Sequence, residues 1–350
     1  MRAAVYRGER RVVVEEIPTP VIGPGEILIR VEACGVCHTD LKKVEYDLLP
    51  PPRVYGHETA GTVASVGEGV TGYRPGDRVI VFHHIPCGAC FYCARKLYAQ
   101  CPVYKKVGVT AGFEPAGGGF SQYVRVMDWI VRGGVEKIPE GISFEEASFV
   151  EPVNTCLKAV ETSGVASGDV VLVMGQGPIG LIFTMLLARR GCRVVATDTI
   201  GARLELSRKS GAELAFDPRF TDATAELKQM TENRGADAVF VATAVRGLVE
   251  QAVACSRPGA RICLFAQTSD KERIELSGAS ICVGERMLFG SYSASVDLQK
   301  QSASLVFSGE LPVKLLISHR IPLAKIEEAF ALATNPTENS LKIIVQCNQA

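Results

Sequence analysis

Apolar positions recur along the chain with two different periods, and the change of period divides it. Up to about residue 130 the apolar runs are short and rich in β-branched residues. They include Val12-Val13-Val14, Ile27-Leu28-Ile29-Arg30-Val31, Thr62-Val63-Ala64-Ser65-Val66, Arg78-Val79-Ile80-Val81-Phe82 and the alternating Ser121-Gln122-Tyr123-Val124-Arg125-Val126. Turn formers separate them: Pro18, Pro20, Gly23, Pro24 and Gly25, then Pro75-Gly76-Asp77, with Gly117-Gly118-Gly119 as a hairpin turn. Short runs between such punctuation predict strands, and many short strands predict a small barrel-like, mainly-β unit.

From Phe144 the pattern lengthens into helical stretches alternating with short apolar runs. Asp169 to Met174 reads as a buried strand, Pro178 to Arg190 as a helix, Arg193 to Asp198 as the next strand, and a helix follows through Ser210. Ala238 to Ala242 and Arg261 to Phe265 repeat the alternation. Strand-helix-strand units predict a parallel sheet covered on both faces. The chain from Val296 returns to a helix ending at Ser308, a strand, and a final Lys342-Ile343-Ile344-Val345, which we group with the first unit. The expected organisation is α/β, with the first and last parts of the chain in one domain and the part between them in the other.

Composition narrows the class. At 350 residues two domains are the default. The 38 basic and 38 acidic side chains give no electrostatic reason to expect nucleic acid or an anionic membrane as partner. Hydrophobic content of 47% with 22% charged residues is that of a globular protein. Met1-Arg2-Ala3-Ala4-Val5-Tyr6-Arg7 meets charge at once and no run is long and apolar enough for a membrane span, so a cytoplasmic protein is expected. In that compartment twelve cysteines point to metal ligands before disulfides.

Three clusters carry candidate chemistry. Gly175-Gln176-Gly177-Pro178-Ile179-Gly180 follows a predicted strand and opens a predicted helix. In that setting the first Gly permits the turn, the second lets backbone approach a pyrophosphate, and the third allows close helix-strand packing. Asp198 closes the second strand, where a carboxylate accepts from ribose hydroxyls and repels a 2′-phosphate, so NAD is expected over NADP; Arg203 is near enough to assist either. Gly67-Glu68-Gly69-Val70-Thr71-Gly72 has the same lettering, but Tyr73-Arg74-Pro75-Gly76 after it cannot begin a helix, which makes it a turn.

Cys87, Cys90, Cys93 and Cys101 place four thiols in a short loop, the donor set of a closed, structural zinc. Arg95, Lys96, Lys105 and Lys106 are a thin basic footprint for a nucleic-acid-binding zinc ribbon. Cys37, in Cys34-Gly35-Val36-Cys37-His38-Thr39-Asp40, precedes His57-Glu58 in Gly56-His57-Glu58-Thr59-Ala60-Gly61. A thiolate, an imidazole and a carboxylate form the mixed ligand set of a catalytic zinc with one open position.

With these features the sequence resembles the zinc-containing medium-chain dehydrogenases, the alcohol and polyol dehydrogenase superfamily. Gly56, His57, Glu58, Gly61, Gly67 and Val70 match its Gly-His-Glu signature in full, and the likeness runs through Cys37 to Asp40, the cysteine lobe, Pro75 to Val79 and the nucleotide loop. It implies a GroES-like catalytic domain of residues 1–154 and 291–350, a doubly wound Rossmann coenzyme domain of residues 155–290, two zinc ions per subunit, and a homo-oligomer, a tetramer before a dimer. It makes Cys37 and His57 ligands of the catalytic zinc and Glu58 a ligand or close neighbour that exchanges with water. Glu151, in Glu151-Pro152, takes the place where alcohol dehydrogenases have a cysteine ligand, as in the sorbitol and threonine dehydrogenase branch; Cys156 is the other candidate, read as a packed thiol. The likeness also gives His38 the cofactor pyrophosphate and Thr39 the proton of the substrate hydroxyl.

Three positions depart from the family or stay open. Lys42 stands where a relay histidine is common, and a lysine relays protons poorly unless desolvated. His83 and His84 stand where the family places pocket residues, and His84-Ile85-Pro86-Cys87 resembles a segment bearing on substrate choice in threonine dehydrogenases; strand-end surface histidines are the other reading. The expected reaction is hydride transfer between a secondary alcohol (polyol, sugar or hydroxy amino acid) and NAD. A primary-alcohol dehydrogenase and a non-catalytic zinc- and dinucleotide-binding regulator are the alternatives.

Overall fold

Every strand pairing in the six-stranded sheet of the second half is parallel, and every pairing in the seven-stranded sheet is antiparallel except one. The computed structural model describes residues 1–104, 108–113, 117–266 and 273–348. Its contacts separate two units, Met1–Asn154 with Ala294–Ala350, and Thr155–Ser293. The family resemblance puts the second crossing at 290/291; the contacts put it at Ser293. No helix among the described residues is long and apolar enough to cross a membrane.

Unit 1 is built on a seven-stranded sheet and a three-stranded one. Its longest strand, Ile27–Gly35, buries Ile27, Ile29 and Val31 while Arg30 faces out, the alternation of a half-buried strand. That strand pairs with Glu58–Val66, Tyr123–Val126 and Lys342–Gln346. One core joins Ile27, Ile29, Val63, Val79, Val124, Ile343 and Val345. The register sets Gly35 opposite Glu58 on one side and opposite Ile344 on the other. Cys37 therefore lies just beyond the end of one strand, and His57 just before the start of its neighbour. Gly67 to Gly72 follows Glu58–Val66 and opens no helix.

Unit 2 contains β1 (Val170–Met174), β2 (Arg193–Thr197), β3 (Ala212–Phe216), β4 (Ala236–Val241), β5 (Ser256–Leu264) and β6 (Met287–Gly290). Their order is 3-2-1-4-5-6, the doubly wound arrangement. All five residues of β1 are buried, as a central parallel strand requires. Helix Pro178–Arg189 follows it and buries a continuous run from Gly180 to Leu187. The reversal of strand order falls beside β1, so the loop at Gly175 stands at the switch point where such sheets bind ligands.

Candidate active site

Cys37 caps the N-terminus of helix His38–Glu45, an element that carries His38, Thr39, Asp40, Lys42 and Lys43. His57 and Glu58 enter from the neighbouring strand. Ligand atoms of Cys37, His57 and Glu58 all lie within 4.8 Å of one another. Gly35 makes room for this: a Cβ there would stand 1.9 Å from Oε2 of Glu58.

The imidazole is held by a residue to which the sequence pattern assigns no role. Asp40, fully buried, has Oδ1 3.1 Å from Nδ1 of His57, which leaves Nε2 for a cation. Its Oδ1 also takes the Gly56 amide at 3.4 Å, and Lys43 stands 3.9 Å away. Burial raises the Asp40 pKa, but His57, Lys43 and the Gly56 amide outweigh it and hold the carboxyl below its usual value. Burial likewise opposes charge on His57, and Asp40 and Cys37 outweigh it, raising its pKa well above the usual value. The negative potential around the ring favours a cation there; zinc binds the neutral imidazole through Nε2 and so takes the place of that proton. The donor chemistry of Cys37 and His57 fits zinc as well.

Glu151 stands in the first turn of helix Val150–Ser163 and keeps some exposure. It is not in the group of converging ligand atoms. Its carboxyl does share the electrostatics of the group. Desolvation, with Glu58 and Asp40 acting the same way, pushes its pKa up to about 7 against the pull of His57 and Lys342. Cys156 is buried and its Sγ lies 3.9 Å from the Ile179 carbonyl, the environment of a packed thiol. Glu58 has a partner that sequence spacing does not reveal: Nζ of Lys342 is 2.7 Å from both of its carboxylate oxygens.

His38 is exposed and Thr39 partly so. Lys42 is half-buried, and desolvation lowers its pKa although Glu45 and Cys37 act the other way. His83 and His84 are each 8% exposed, so they are buried residues and not surface ones. Their rings extend a row from the metal cluster: His57 to His83 is 5.1 Å between centroids, His83 to His84 is 4.5 Å, and His84 to Tyr104 is 5.4 Å.

The ligand atoms of Cys87, Cys90, Cys93 and Cys101 form the second group within 4.8 Å. Zn–S bonds of ~2.3 Å in a tetrahedron put sulfurs ~3.8 Å apart. Cys87 and Cys93 are 3.9 Å apart and Cys90 and Cys93 3.5 Å, so the cage fits zinc. Burial works against a thiolate at Cys101, yet the amides of Cys87 and Val103 outweigh it and bring its pKa down to about 6. None of the twelve cysteines, all among the described residues, is in a disulfide. Of the basic residues beside the lobe, Arg95 lies over the Phe91 ring at 3.7 Å and Lys96 pairs with Asp297 at 3.5 Å; Lys105 and Lys106 lie outside the described residues.

In unit 2 the glycines of the loop divide by what a side chain would meet. A Cβ on Gly175, at φ +91°, would press on Thr243 at 2.9 Å, and one on Gly180 would meet the Gly175 carbonyl oxygen at 1.7 Å. A Cβ on Gly177 would meet nothing within 4 Å. Two glycines thus serve the fold, and the third opens onto space at a helix N-terminus that Pro178 begins. Ile179 is the second residue of that helix. Asp198 accepts from the Gln176 amide at 2.6 Å through Oδ2 and from the Ile200 amide at 2.9 Å through Oδ1. Each oxygen keeps a lone pair for a further donor. Arg203 stands 3.8 Å from Oδ2. This cradle fits a dinucleotide.

Known proteins share these features. Residues 23–140 match the family model described as alcohol dehydrogenase GroES-like domain, and residues 178–307 the one described as zinc-binding dehydrogenase. The chain is 29% identical to sorbitol dehydrogenase of Bacillus subtilis, over 100% of this chain and 98% of that one. It is 32% identical to L-threonine 3-dehydrogenase of Pyrococcus abyssi, over 91% of this chain and 90% of that one. In three dimensions it is similar to a zinc-binding dehydrogenase of Sinorhizobium meliloti whose crystal structure has NADP bound, with TM-score 0.89, 26% identity, and coverage of 99% and 98%.

Proposed function

The chain belongs to the zinc-containing medium-chain dehydrogenases, and from that premise we propose that it transfers hydride between a secondary alcohol and NAD. The substrate class is a polyol, a sugar or a hydroxy amino acid such as threonine. The convergence of Cys37, His57 and Glu58, with Asp40 behind the imidazole, carries the reading. Cys37, His57 and Glu151 would hold the catalytic zinc, with Glu58 as an exchangeable donor, and Cys87, Cys90, Cys93 and Cys101 a structural one. Glu151 favours the secondary-alcohol branch, because the primary-alcohol enzymes have cysteine at that place.

When bound, zinc supplies Lewis acidity that makes an alcohol hydroxyl acidic near neutral pH. The chain's own residues do the rest. Asp40 keeps Nδ1 of His57 occupied and so fixes the ring. Thr39 accepts the hydroxyl proton, and Lys42 stands where a relay histidine is common. His83 and His84 line the substrate side. Gly177 and the helix beginning at Pro178 receive the pyrophosphate, and Asp198 receives the ribose hydroxyls. The carboxylate at Asp198 supports NAD over NADP, with Arg203 beside it. The alcohol carbon loses hydride to the nicotinamide, and the hydroxyl proton leaves separately, so alcohol and NAD⁺ give ketone, NADH and a proton.

The reading includes a cytoplasmic homo-oligomer, a tetramer before a dimer, with no nucleic-acid or membrane partner. The outer edge of β6, with Met287 52% exposed and Val283 82% exposed nearby, supports self-association. The test is metal analysis together with NADH absorbance over polyols, sugars and threonine. Two zinc ions per chain with turnover are expected, and Cys37→Ser should abolish turnover and the catalytic-site zinc while NADH still binds. Two zinc ions without turnover on any alcohol would favour the binding protein instead.

A further inference from the structure

We propose that Asn154 is a positioning residue: by clasping the backbone of Ser295 it fixes the helix turn that carries Glu151, and so sets whether that carboxylate reaches the catalytic metal. The inference rests on the reading of Cys37, His57 and Glu151 as the ligands of a zinc centre.

Glu151 and Asn154 lie three residues apart in helix Val150–Ser163, a spacing that puts both on one side of it. Asn154 is fully buried. Its Oδ1 accepts from the Ser295 amide at 2.8 Å, and its Nδ2 donates to the Ser295 carbonyl at 3.0 Å. One side chain thus satisfies both backbone groups of a residue 141 positions away, as a neighbouring strand would. A side-chain amide suits this because it offers a donor and an acceptor side by side. Nδ2 also stands 3.4 Å from Oε1 of Gln299, the first residue of helix Gln299–Phe307. All of these residues belong to unit 1, whereas helix Val150–Ser163 runs on into unit 2 after Asn154. Asn154 is therefore where the turn with Glu151 is tied to the unit that holds Cys37 and His57.

Packing does not confine Glu151 on every side. Glu151 and Gln299 line one small cavity together with Thr59, Phe82 and Ser148. Thr59 follows Glu58 in strand Glu58–Val66, so the cavity adjoins the converging ligand atoms. A carboxylate beside open space takes its aim from the helix that carries it, and that helix is held at this turn by Asn154. Loss of the clasp leaves two backbone groups of Ser295 without their partners. It also frees the first turn to shift toward the cavity, which takes Glu151 from the metal.

The test uses the full chain with zinc in the four-cysteine lobe and cobalt(II) at the catalytic site, whose visible spectrum reports ligand identity and number. Asn154→Ala should shift that spectrum and weaken cobalt binding about 10- to 100-fold in chelator competition, the usual cost of losing a group that orients a ligand. The lobe should keep its zinc, and NADH affinity should be unchanged. A clasp that only stabilised the fold would lower the melting point and leave the spectrum alone, so an Asn154→Ala protein with the parent spectrum overturns the proposal. In a Glu151→Ala background the same substitution should cost no further cobalt affinity; a second loss as large as the first overturns the proposal too. Should Asn154→Ala not fold, Asn154→Asp gives the answer. It keeps the acceptor for the Ser295 amide but turns an oxygen toward the Ser295 carbonyl, and it should shift the spectrum in the same way; an unshifted spectrum overturns the proposal. Glu151→Ala with the parent spectrum would overturn the placing of Glu151 at the metal and this proposal together. That is a different result from an unshifted Asn154 variant beside a shifted Glu151 one.

Discussion

Asp40 shows how much of a metal site one residue behind the ligands decides. With its Oδ1 against His57 Nδ1 it selects the free nitrogen, and with the Gly56 amide it fixes the carboxylate itself. Asp40→Asn removes the charge and leaves the shape. The expected result is a loss of about 10- to 100-fold in catalytic-site metal affinity, read by chelator competition, while the four-cysteine lobe keeps its zinc. Unchanged affinity would mean that the ring is fixed by its packing against His83 instead. The ligand candidates Cys37, His57 and Glu58 were legible because they lie close together in sequence and belong to residue types with one shared chemistry. Asp40 sits three residues past Cys37 in plain view, but an acidic residue at that spacing has no signature until a helix turns it toward His57. Lys342 could not be found at all, since its bond to Glu58 spans 284 residues.

At the scale of elements, the strand-loop-helix at Gly175 separates two kinds of glycine that one motif writes alike. Gly177→Ala should leave the thermal stability of unit 2 intact and weaken dinucleotide binding, since its Cβ enters open space that a pyrophosphate needs. Gly180→Ala should destabilise the unit itself, since its Cβ falls on a backbone oxygen. Calorimetry with an NADH titration separates them, and equal melting points for the two variants would contradict the division. Strand Ile27–Gly35 offers a second case at its entry. Glu26 is bonded through both oxygens to Arg125 at 2.8 Å, and accepts the Gly23 amide at 2.7 Å. Burial raises the Glu26 pKa, but Arg125 and that amide outweigh it and bring it below 4.5. A lowered folded pKa stabilises the ionised form, so the contribution is present above the unfolded value and is lost as pH falls through the folded one. Glu26→Gln should cost about 1.5–3 kcal/mol at pH 7 and much less at pH 3. Urea midpoints that differ from the parent equally at both pH values would refute it. The strands and helices around these points were legible from period and punctuation. Helix His38–Glu45 was not, because it is short and its apolar residues, Leu41 and Val44, make too small a stripe to register.

For the whole molecule, the two units are assembled by unlike rules. Thr155–Ser293 is one unbroken stretch, whereas its companion is made of two pieces far apart in the chain. The alternation of strands and helices revealed the first directly. The second had to be inferred from apolar runs at both ends, since nothing local tells a C-terminal strand which sheet it will enter. A chain stopped before Ser340 should therefore still bind NADH with the parent affinity but neither hold the Cys37–His57 metal nor turn over alcohol. Retention of that metal by the shortened chain would show that the sheet closes without its C-terminal strand. Strand Lys342–Gln346 lies inside its sheet, between Ile317–Pro322 and Ile27–Gly35, and not at a margin. During synthesis on a ribosome, Cys37, His57 and the four lobe cysteines emerge well before the strand that completes their sheet. The nascent chain thus passes through an interval in which its dinucleotide unit is free to fold and its thiols stand in an unfinished half. Metal delivery and protection of those thiols from oxidation become matters of timing as much as of affinity.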